Sequence, residues 1–183
     1  MMKNNFNLEK LKFPIGKFQN PDSISENDLE TWISIIENFP SRIKKLTSTL
    51  SIEELNWTYR PKGWNIKQVV HHCADSHINS FIRFKLALTE DIPTIKPYEE
   101  AKWAELADGN SDDILPSLQI IEGVHTRWVL LLKSFGSKEL KRQFFHPENL
   151  KIFCLDEIIG VYAWHCNHHV AHIEQALAYK GQF

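Results

Sequence analysis

Histidine is concentrated near the C-terminal end of this 183-residue chain, where four of its nine histidines fall within eight positions: His165, His168, His169 and His172. Side chains four residues apart lie on the same face of a helix, so this stretch can direct two imidazoles at one point. A third imidazole from another helix would complete a three-histidine site for a divalent metal ion. These residue types therefore indicate metal-dependent chemistry.

Helical periodicity leaves the choice of ligands on this segment open. At about 100° per residue, all four of its histidines fall in one stripe that also carries apolar residues. The pair His165 with His169 and the pair His168 with His172 both have the spacing of four. The stripe should face inward, where an imidazole without hydrogen-bond partners is costly.

A second set of polar side chains lies on an earlier helical pattern, where His72 shares a stripe with Asn79 and Arg83. Two interpretations are open. The stripe could face solvent, or it could line a pocket in which His72 meets the imidazoles of the last helix while Asn79 and Arg83 contact a polar substrate. His71 and His77 point away from the direction of His72, so neither is favoured as a ligand.

A role without metal is the simpler interpretation for two other histidines, His125 in the third long helix and His146 in a turn. The adjacent acidic residues Asp112 and Asp113 are best explained as residues that favour the start of a helix.

Composition bounds the class of protein. With 43% apolar residues and a formal charge of -2, the chain can bury one core and offers no basic surface for nucleic acid. We expect one domain over residues 1–183. No signal peptide is recognisable, and the longest strongly apolar run, Trp128 to Leu132, is too short to span a membrane. Three cysteines without CxxC spacing fit a reducing compartment, so we expect a soluble cytoplasmic protein.

Four long amphipathic patterns predict four helices. They begin near Ser25, near Asn65, after Asp113 and near Leu155, and the last three extend to about Thr89, Ser134 and Lys180. Pro40 lies inside the first, so we expect a kink or local break there. With little strand signal elsewhere, the chain is predicted to be an all-α four-helix bundle.

Shorter features connect these helices. Residues 1–23 are predicted to be an irregular leader, because prolines and a glycine interrupt the pattern. Ser51 and Glu54 have the spacing of a capping box, and a short helical piece is expected around Glu99 to Leu106. The segment from Gln143 to Cys154 is typical of a small hairpin before the last helix.

The run from Gly63 to His77, together with its continuation from Asn79 to Lys85, resembles the YfiT-like metal-dependent hydrolases of the DinB-like superfamily. A close subgroup of this family is described as bacillithiol S-transferases. Other matching segments extend the resemblance to nearly the whole chain: Phe13 to Gly16, Tyr98 to Trp103, His146 to Pro147, and Tyr162 to Ile173.

This resemblance implies an up-down-down-up bundle with one divalent metal ion per chain. It implies His72, His168 and His172 as the ligands, which selects one of the two pairs that periodicity left open. It also implies zinc, with nickel as the alternative, and a homodimer.

We expect a thiol S-transferase of the bacillithiol type, in which the metal activates a thiolate to attack an electrophile while Asn79 and Arg83 hold a small anionic thiol. Hydrolysis by a metal-bound hydroxide is the nearest alternative. A non-enzymatic bundle that binds a metal or a small ligand is an alternative from another class. His165, on the same stripe, could accept a proton or support a ligand, although a packed histidine explains it equally well.

Overall fold

The computed structural model describes residues 7–183, which form eight helices and one two-stranded sheet. The helices are α1 (Leu8–Lys12), α2 (Glu26–Thr47), α3 (Ile52–Leu55), α4 (Ile66–Thr89), α5 (Glu100–Trp103), α6 (Leu115–Leu132), α7 (Ser137–Leu140) and α8 (Leu155–Tyr179), and the strands are β1 (Gln143–His146) and β2 (Lys151–Cys154). The long helices α2, α4, α6 and α8 confirm the predicted four-helix bundle. No helix in this part of the chain combines the length and apolar character needed to traverse a lipid bilayer.

Side-chain caps fix where several helices begin. The Ser51 hydroxyl accepts a hydrogen bond from the backbone N–H of Glu54, and the Glu54 carboxylate accepts one from the N–H of Ser51. Asn65 and Gln68 make the same reciprocal pair at the start of α4. Each pair satisfies two N–H groups that the first helical turn leaves free. The capping box predicted from the sequence is therefore present in α3.

The sequence predicts a kink or a local break at Pro40, and the helix α2 runs across this residue without a break. Proline has no N–H, so the carbonyl oxygen of Ile36, four residues earlier, receives no hydrogen bond from position 40. Instead, the Nδ1 atom of His125 lies 2.7 Å from this oxygen. A hydrogen bond from α6 thus replaces the missing bond within α2.

Contacts between the long helices give their relative directions. Residue numbers rise together along parallel pairs, as in Trp32 with Gly160 and Arg42 with Asn167 for α2 and α8, and in His71 with Ser117 and Phe84 with Trp128 for α4 and α6. They run oppositely along antiparallel pairs, as in Glu37 with Lys133 and Lys44 with Glu122 for α2 and α6, and in His72 with His169 and Ser76 with Tyr162 for α4 and α8. The bundle therefore has the up-down-down-up arrangement.

The hairpin before α8 is formed by β1 and β2, which pair antiparallel with Gln143 opposite Cys154. Its first strand also holds the connection that follows α4. The N–H of Ile95 donates to the carbonyl of Phe145 at 3.0 Å, and the N–H of Phe145 donates to the carbonyl of Pro93 at 2.9 Å. These bonds fix the connection and the hairpin to each other beside the bundle.

The segment predicted as an irregular leader contains the short helix α1. The side chain of Asn7 caps it, and Leu11 is buried. The Gln175 side chain of α8 donates a hydrogen bond to the carbonyl of Leu11 at 3.0 Å. A helix of five residues is too short to show a periodicity, so only its docking on α8 reveals it. The first six residues of the predicted leader lie outside the described part of the chain.

The core of the bundle is aromatic at its centre, where Trp128, Phe39 and Phe84 are fully buried. It also contains an unusual share of imidazoles. The buried histidines are His71, His72, His77, His125, His168, His169 and His172. Because a buried imidazole must satisfy a donor and an acceptor, the arrangement of these rings is tightly constrained.

Candidate metal centre

Three imidazoles from α4 and α8 meet inside the bundle. The Nε2 atom of His72 lies 3.3 Å from Nε2 of His165, and Nε2 of His169 lies 3.1 Å from the same atom. One ring nitrogen from each of the three residues lies within 4.8 Å of the others. His165 and His169 are one turn apart on α8, and the antiparallel α4 presents His72 to them.

The chemistry of this donor set fits a divalent metal ion. Zinc–nitrogen bonds are about 2.0–2.1 Å long, so nitrogens around a tetrahedral zinc ion are roughly 3.4 Å apart. The observed separations of 3.1 and 3.3 Å are close to this value. Imidazole nitrogen is a ligand that both zinc and nickel accept. His72, His165 and His169 could therefore hold one ion without a large rearrangement.

Burial keeps these three rings in the form that binds metals. It lowers the pKa of His72 to about 4, with a smaller contribution from His168. Burial also lowers the pKa of His165 and of His169 well below the usual value, and the neighbouring histidines add to the effect. Only a neutral imidazole has a lone pair for a metal ion. At neutral pH these three rings are therefore uncharged, as ligands of a metal ion must be.

His168 and His172, the α8 pair implied by the resemblance, make other contacts. His168 stacks on Trp164 with ring centroids 4.3 Å apart. The Nε2 atom of His172 lies 3.0 Å from the carbonyl oxygen of Lys12. Because a carbonyl oxygen can only accept a hydrogen bond, Nε2 of His172 carries the proton. The lone pair of the neutral ring is then on Nδ1, which is buried and has no hydrogen-bond partner among the described residues.

The ligand set His72, His168 and His172 therefore stays a prediction that the geometry does not favour. The rings of His168 and His172 are close to each other, with centroids 4.1 Å apart. However, among the described residues, these two and His72 do not bring a nitrogen each within 4.8 Å of one another. The helix α8 is rotated about its axis so that His165 and His169 face His72 of α4.

The two predicted substrate contacts on α4 differ in how their side chains are used. The Asn79 amide donates to the carbonyl of Asp75 at 2.8 Å, within its own helix. Arg83 donates through Nη2 to the carbonyl of Lys96 at 3.3 Å, whereas its Nε atom is buried and has no partner among residues 7–183. Arg83 thus keeps a donor for a ligand, and the Asn79 amide is already engaged.

Like Arg83, two side chains outside the long helices have a buried polar atom without a hydrogen-bond partner among residues 7–183. The hydroxyl of Tyr98 and the Nδ1 atom of His146 are buried, and neither has a hydrogen-bond partner in the described part of the chain. Burial lowers the pKa of His146, and the Arg83 charge lowers it further. Burial raises the pKa of Glu100, and Arg83 opposes that shift. Arg83 therefore lies in a polar region formed with the hairpin and the connection after α4.

Sequence reasoning did not identify the environment of three histidines. The resemblance leaves His165 outside the ligand set, and helical periodicity predicts no role for His77 or His125 at a metal site. In the structure, Nε2 of His77 lies 3.0 Å from Nδ1 of His165, and Nδ1 of His77 lies 2.6 Å from Nε2 of His125. The register between helices determines these contacts, and helical periodicity carries no information about that register.

Comparison with known proteins gives consistent matches. The profile of the family described as the DinB superfamily matches residues 35–173. YfiT of Bacillus subtilis is 42% identical over 165 residues, which cover 90% of this chain and 93% of YfiT. BH0277 of Halalkalibacterium halodurans is 46% identical over 166 residues, which cover 91% of this chain and 96% of BH0277. Both relatives bear the provisional name of metal-dependent hydrolases.

The same relationship is visible in three dimensions. The solved structure of Bacillus subtilis YfiT superposes with a TM-score of 0.90 at 41% identity, covering 94% of this chain and 98% of that one. That structure is described as a probable metal-dependent hydrolase with an unusual four-helix bundle topology.

Proposed function

Because this chain belongs to the DinB superfamily, we propose that it is a metal-dependent enzyme that acts on a small molecule through one divalent ion held by His72, His165 and His169. The observation that carries the proposal is the convergence of three neutral imidazoles from two helices. The names of its relatives, which are those of metal-dependent hydrolases, support the class of activity.

Three histidine ligands suit a catalytic ion better than a structural one. Structural zinc sites are closed by four protein ligands, whereas catalytic sites use three and keep one position for an exchangeable partner. The grouped donors here are three imidazoles with no carboxylate among them. A bound ion would keep its positive charge and would lower the pKa of a thiol or water molecule that it coordinates, which supplies a nucleophile near neutral pH.

The finer proposal is the transfer of a small anionic thiol to an electrophile. Arg83 supports it, because its buried Nε donor is unused and a guanidinium binds carboxylates with good geometry. Tyr98 adds a second buried polar group, its hydroxyl, to the same region. In this reaction the thiol gives its proton to solvent, the sulfur forms a bond to the electrophilic carbon, and the bond from that carbon to the leaving group breaks. The leaving group departs with the electron pair and takes a proton from solvent.

Hydrolysis is the second candidate, and the relatives' names favour it. The metal is proposed to be zinc, with nickel as the alternative, and the protein is proposed to act as a homodimer in the cytoplasm. A bundle that binds a metal without turnover is the competing proposal from another class.

The test is elemental analysis of protein purified without a histidine tag. We expect about one ion per chain in the parent and a loss of most of it in His72→Ala, His165→Ala and His169→Ala. His168→Ala and His172→Ala are the matched controls and should keep the ion. The reverse result for the two α8 pairs would establish the ligands implied by the resemblance.

Thiol-conjugation and ester-hydrolysis assays of the same proteins then distinguish the two proposed reactions. If the metal-loaded parent is inactive in both assays, the bundle that binds a metal without turnover is favoured.

A further inference from the structure

A continuous chain of hydrogen bonds connects His165 to the backbone of α2 through two buried histidines. Nδ1 of His165 lies 3.0 Å from Nε2 of His77, and Nδ1 of His77 lies 2.6 Å from Nε2 of His125. Nδ1 of His125 then lies 2.7 Å from the carbonyl oxygen of Ile36. The chain crosses α8, α4, α6 and α2, so all four long helices contribute to it.

The carbonyl at the end of this chain determines where each proton lies. The oxygen of Ile36 can only accept, so Nδ1 of His125 must carry a proton. In a neutral ring the other nitrogen of His125 is then an acceptor, which requires a proton on Nδ1 of His77. By the same reasoning Nδ1 of His165 is protonated, because Nε2 of His77 is an acceptor. Nε2 of His165 is left with a free lone pair, and this is the atom that faces His72 and His169.

The surroundings of the chain protect this arrangement. His77 is 0% exposed and His125 is 1% exposed, so water does not compete for their ring nitrogens. The rings of Phe39 and Trp128 contact both histidines. Burial also lowers the pKa of His77 and of His125, which keeps both rings neutral. Each ring can therefore make one donated and one accepted bond, and no other.

We propose that His77 and His125 are positioning residues that hold His165 in the tautomer whose Nε2 lone pair is directed at the metal centre. This inference rests on the proposed function, because it takes His165 as a ligand. Partners behind a metal-binding histidine orient the ring and strengthen the ligand, and their loss commonly weakens metal binding by about 10-fold to 100-fold.

Two other roles fit the same residues less well. His77, His125 and the buried Cys166 also lie within 4.8 Å of one another, as a second metal site would require. However, the ring nitrogens of His77 and His125 are already engaged in hydrogen bonds at 2.6 to 3.0 Å. A path for proton exit is also disfavoured, because the chain ends at a backbone carbonyl that cannot release a proton.

The first test measures tautomers in the protein freed of metal by a chelator. Long-range 1H–15N NMR spectra distinguish a proton on Nδ1 from a proton on Nε2, and single histidine variants assign the signals. We expect His165, His77 and His125 to carry the proton on Nδ1 in the parent. A proton on Nε2 of His165 would overturn the proposal. The tautomers are read in the parent protein itself, and this readout needs no metal to bind.

The second test measures affinity for zinc by competition with a chelator in His77→Leu, His77→Gln and His125→Leu. The leucine variants should bind about 10-fold to 100-fold more weakly. Glutamine provides one donor and one acceptor, so His77→Gln should recover part of the affinity. His71→Leu is the matched control. It removes another buried imidazole of α4, which bonds Ser117 and the carbonyl of Ser111, and it should leave the affinity unchanged.

The outcomes separate this inference from the proposed function. If His165→Ala keeps its metal, the proposed ligand set is wrong and the positioning role fails with it. If His165→Ala loses its metal but the leucine variants bind zinc as tightly as the parent, only the positioning role is wrong. Two zinc ions per chain in the parent, falling to one in His125→Leu, would establish a second metal site instead.

Discussion

The ring of Tyr59 lies nearly parallel to the ring of His172, with centroids 3.8 Å apart and 15° between the planes. The backbone carbonyl of Tyr59 also accepts a hydrogen bond from the Gln175 side chain at 2.6 Å. With the bond from His172 to the carbonyl of Lys12, these contacts connect α8 to the N-terminal segment and to the loop before α4.

His172 is therefore expected to contribute to stability and not to metal binding. His172→Phe keeps the stacked ring and loses one hydrogen bond, so it should lower the free energy of unfolding by about 1 kcal/mol. His172→Ala loses the stack as well and should cost about 2–4 kcal/mol. Urea unfolding gives these values, and elemental analysis should show an unchanged metal content. Loss of the ion in His172→Phe would contradict this assignment.

Removal of the metal should leave the bundle folded. The fully buried rings of Trp128, Phe39 and Phe84 pack the core without help from an ion. We expect the far-UV circular dichroism of chelator-treated protein to remain helical, with a lower Tm that rises again as zinc is added. A collapse of the helical signal after chelation would instead indicate a structural ion.

The stability of the metal-free protein should decrease in acid because of His125. Burial lowers the pKa of this residue to about 4, although its bond to the Ile36 carbonyl opposes the shift. An exposed imidazole has a pKa of about 6.5, so between these values the unfolded chain binds a proton that the folded chain does not. The free energy of unfolding then falls as the pH falls, by at most about 1.4 kcal/mol per pH unit for one group.

Urea unfolding between about pH 7 and pH 5 measures this slope. The His125→Leu variant should have a shallower slope than the parent, because it lacks the titrating ring. Equal slopes in the two chelated proteins would show that His125 does not titrate in this way.

Close packing of α2 against α8 depends on Gly160. A Cβ atom at this position would lie 2.9 Å from ring atoms of Trp32 and of Phe18. Gly160→Ala should therefore destabilise the protein by about 1–3 kcal/mol, because large rings must move. The control is Gly123→Ala in α6, where an added Cβ meets nothing within 4 Å. That change should stabilise the helix by about 0.5–1 kcal/mol, and thermal unfolding of both variants tests the pair.

Arg83 should determine the preference for anionic thiols. Arg83→Gln is expected to raise KM for N-acetylcysteine about 10-fold or more, because a charge-assisted hydrogen bond is lost. The KM for the uncharged amide of that thiol should change little. Asn79→Ala is the control on the same helix, since its amide is bonded to the Asp75 carbonyl. Equal effects on the charged and uncharged thiols would exclude this role for Arg83.

The sequence predicts the long helices well because their apolar spacing, caps and glycine or proline boundaries are local signals. Its limits appear where two helices must be placed against each other. Periodicity put His165, His168, His169 and His172 in one stripe, and only the rotation of α8 against α4 distinguishes the pairs. The bond between His77 and His125, which joins α4 to α6, also depends on how two helices are placed, so periodicity does not predict it. The sequence does not predict the short helix α1, because the burial of its Leu11 depends on residues that are distant in the chain.

Pro40→Ala is an obvious substitution for raising the Tm of this protein, because proline inside a helix is about 3 kcal/mol less favourable than alanine. An alanine there would offer its N–H to the oxygen of Ile36, where His125 is now the partner. The helix would become more stable, but the alanine N–H would share the Ile36 oxygen with His125. The bond from His125 to this oxygen orients three imidazoles. We expect Pro40→Ala to raise the Tm, and to lower the affinity for zinc to the extent that the bond from His125 to this oxygen weakens.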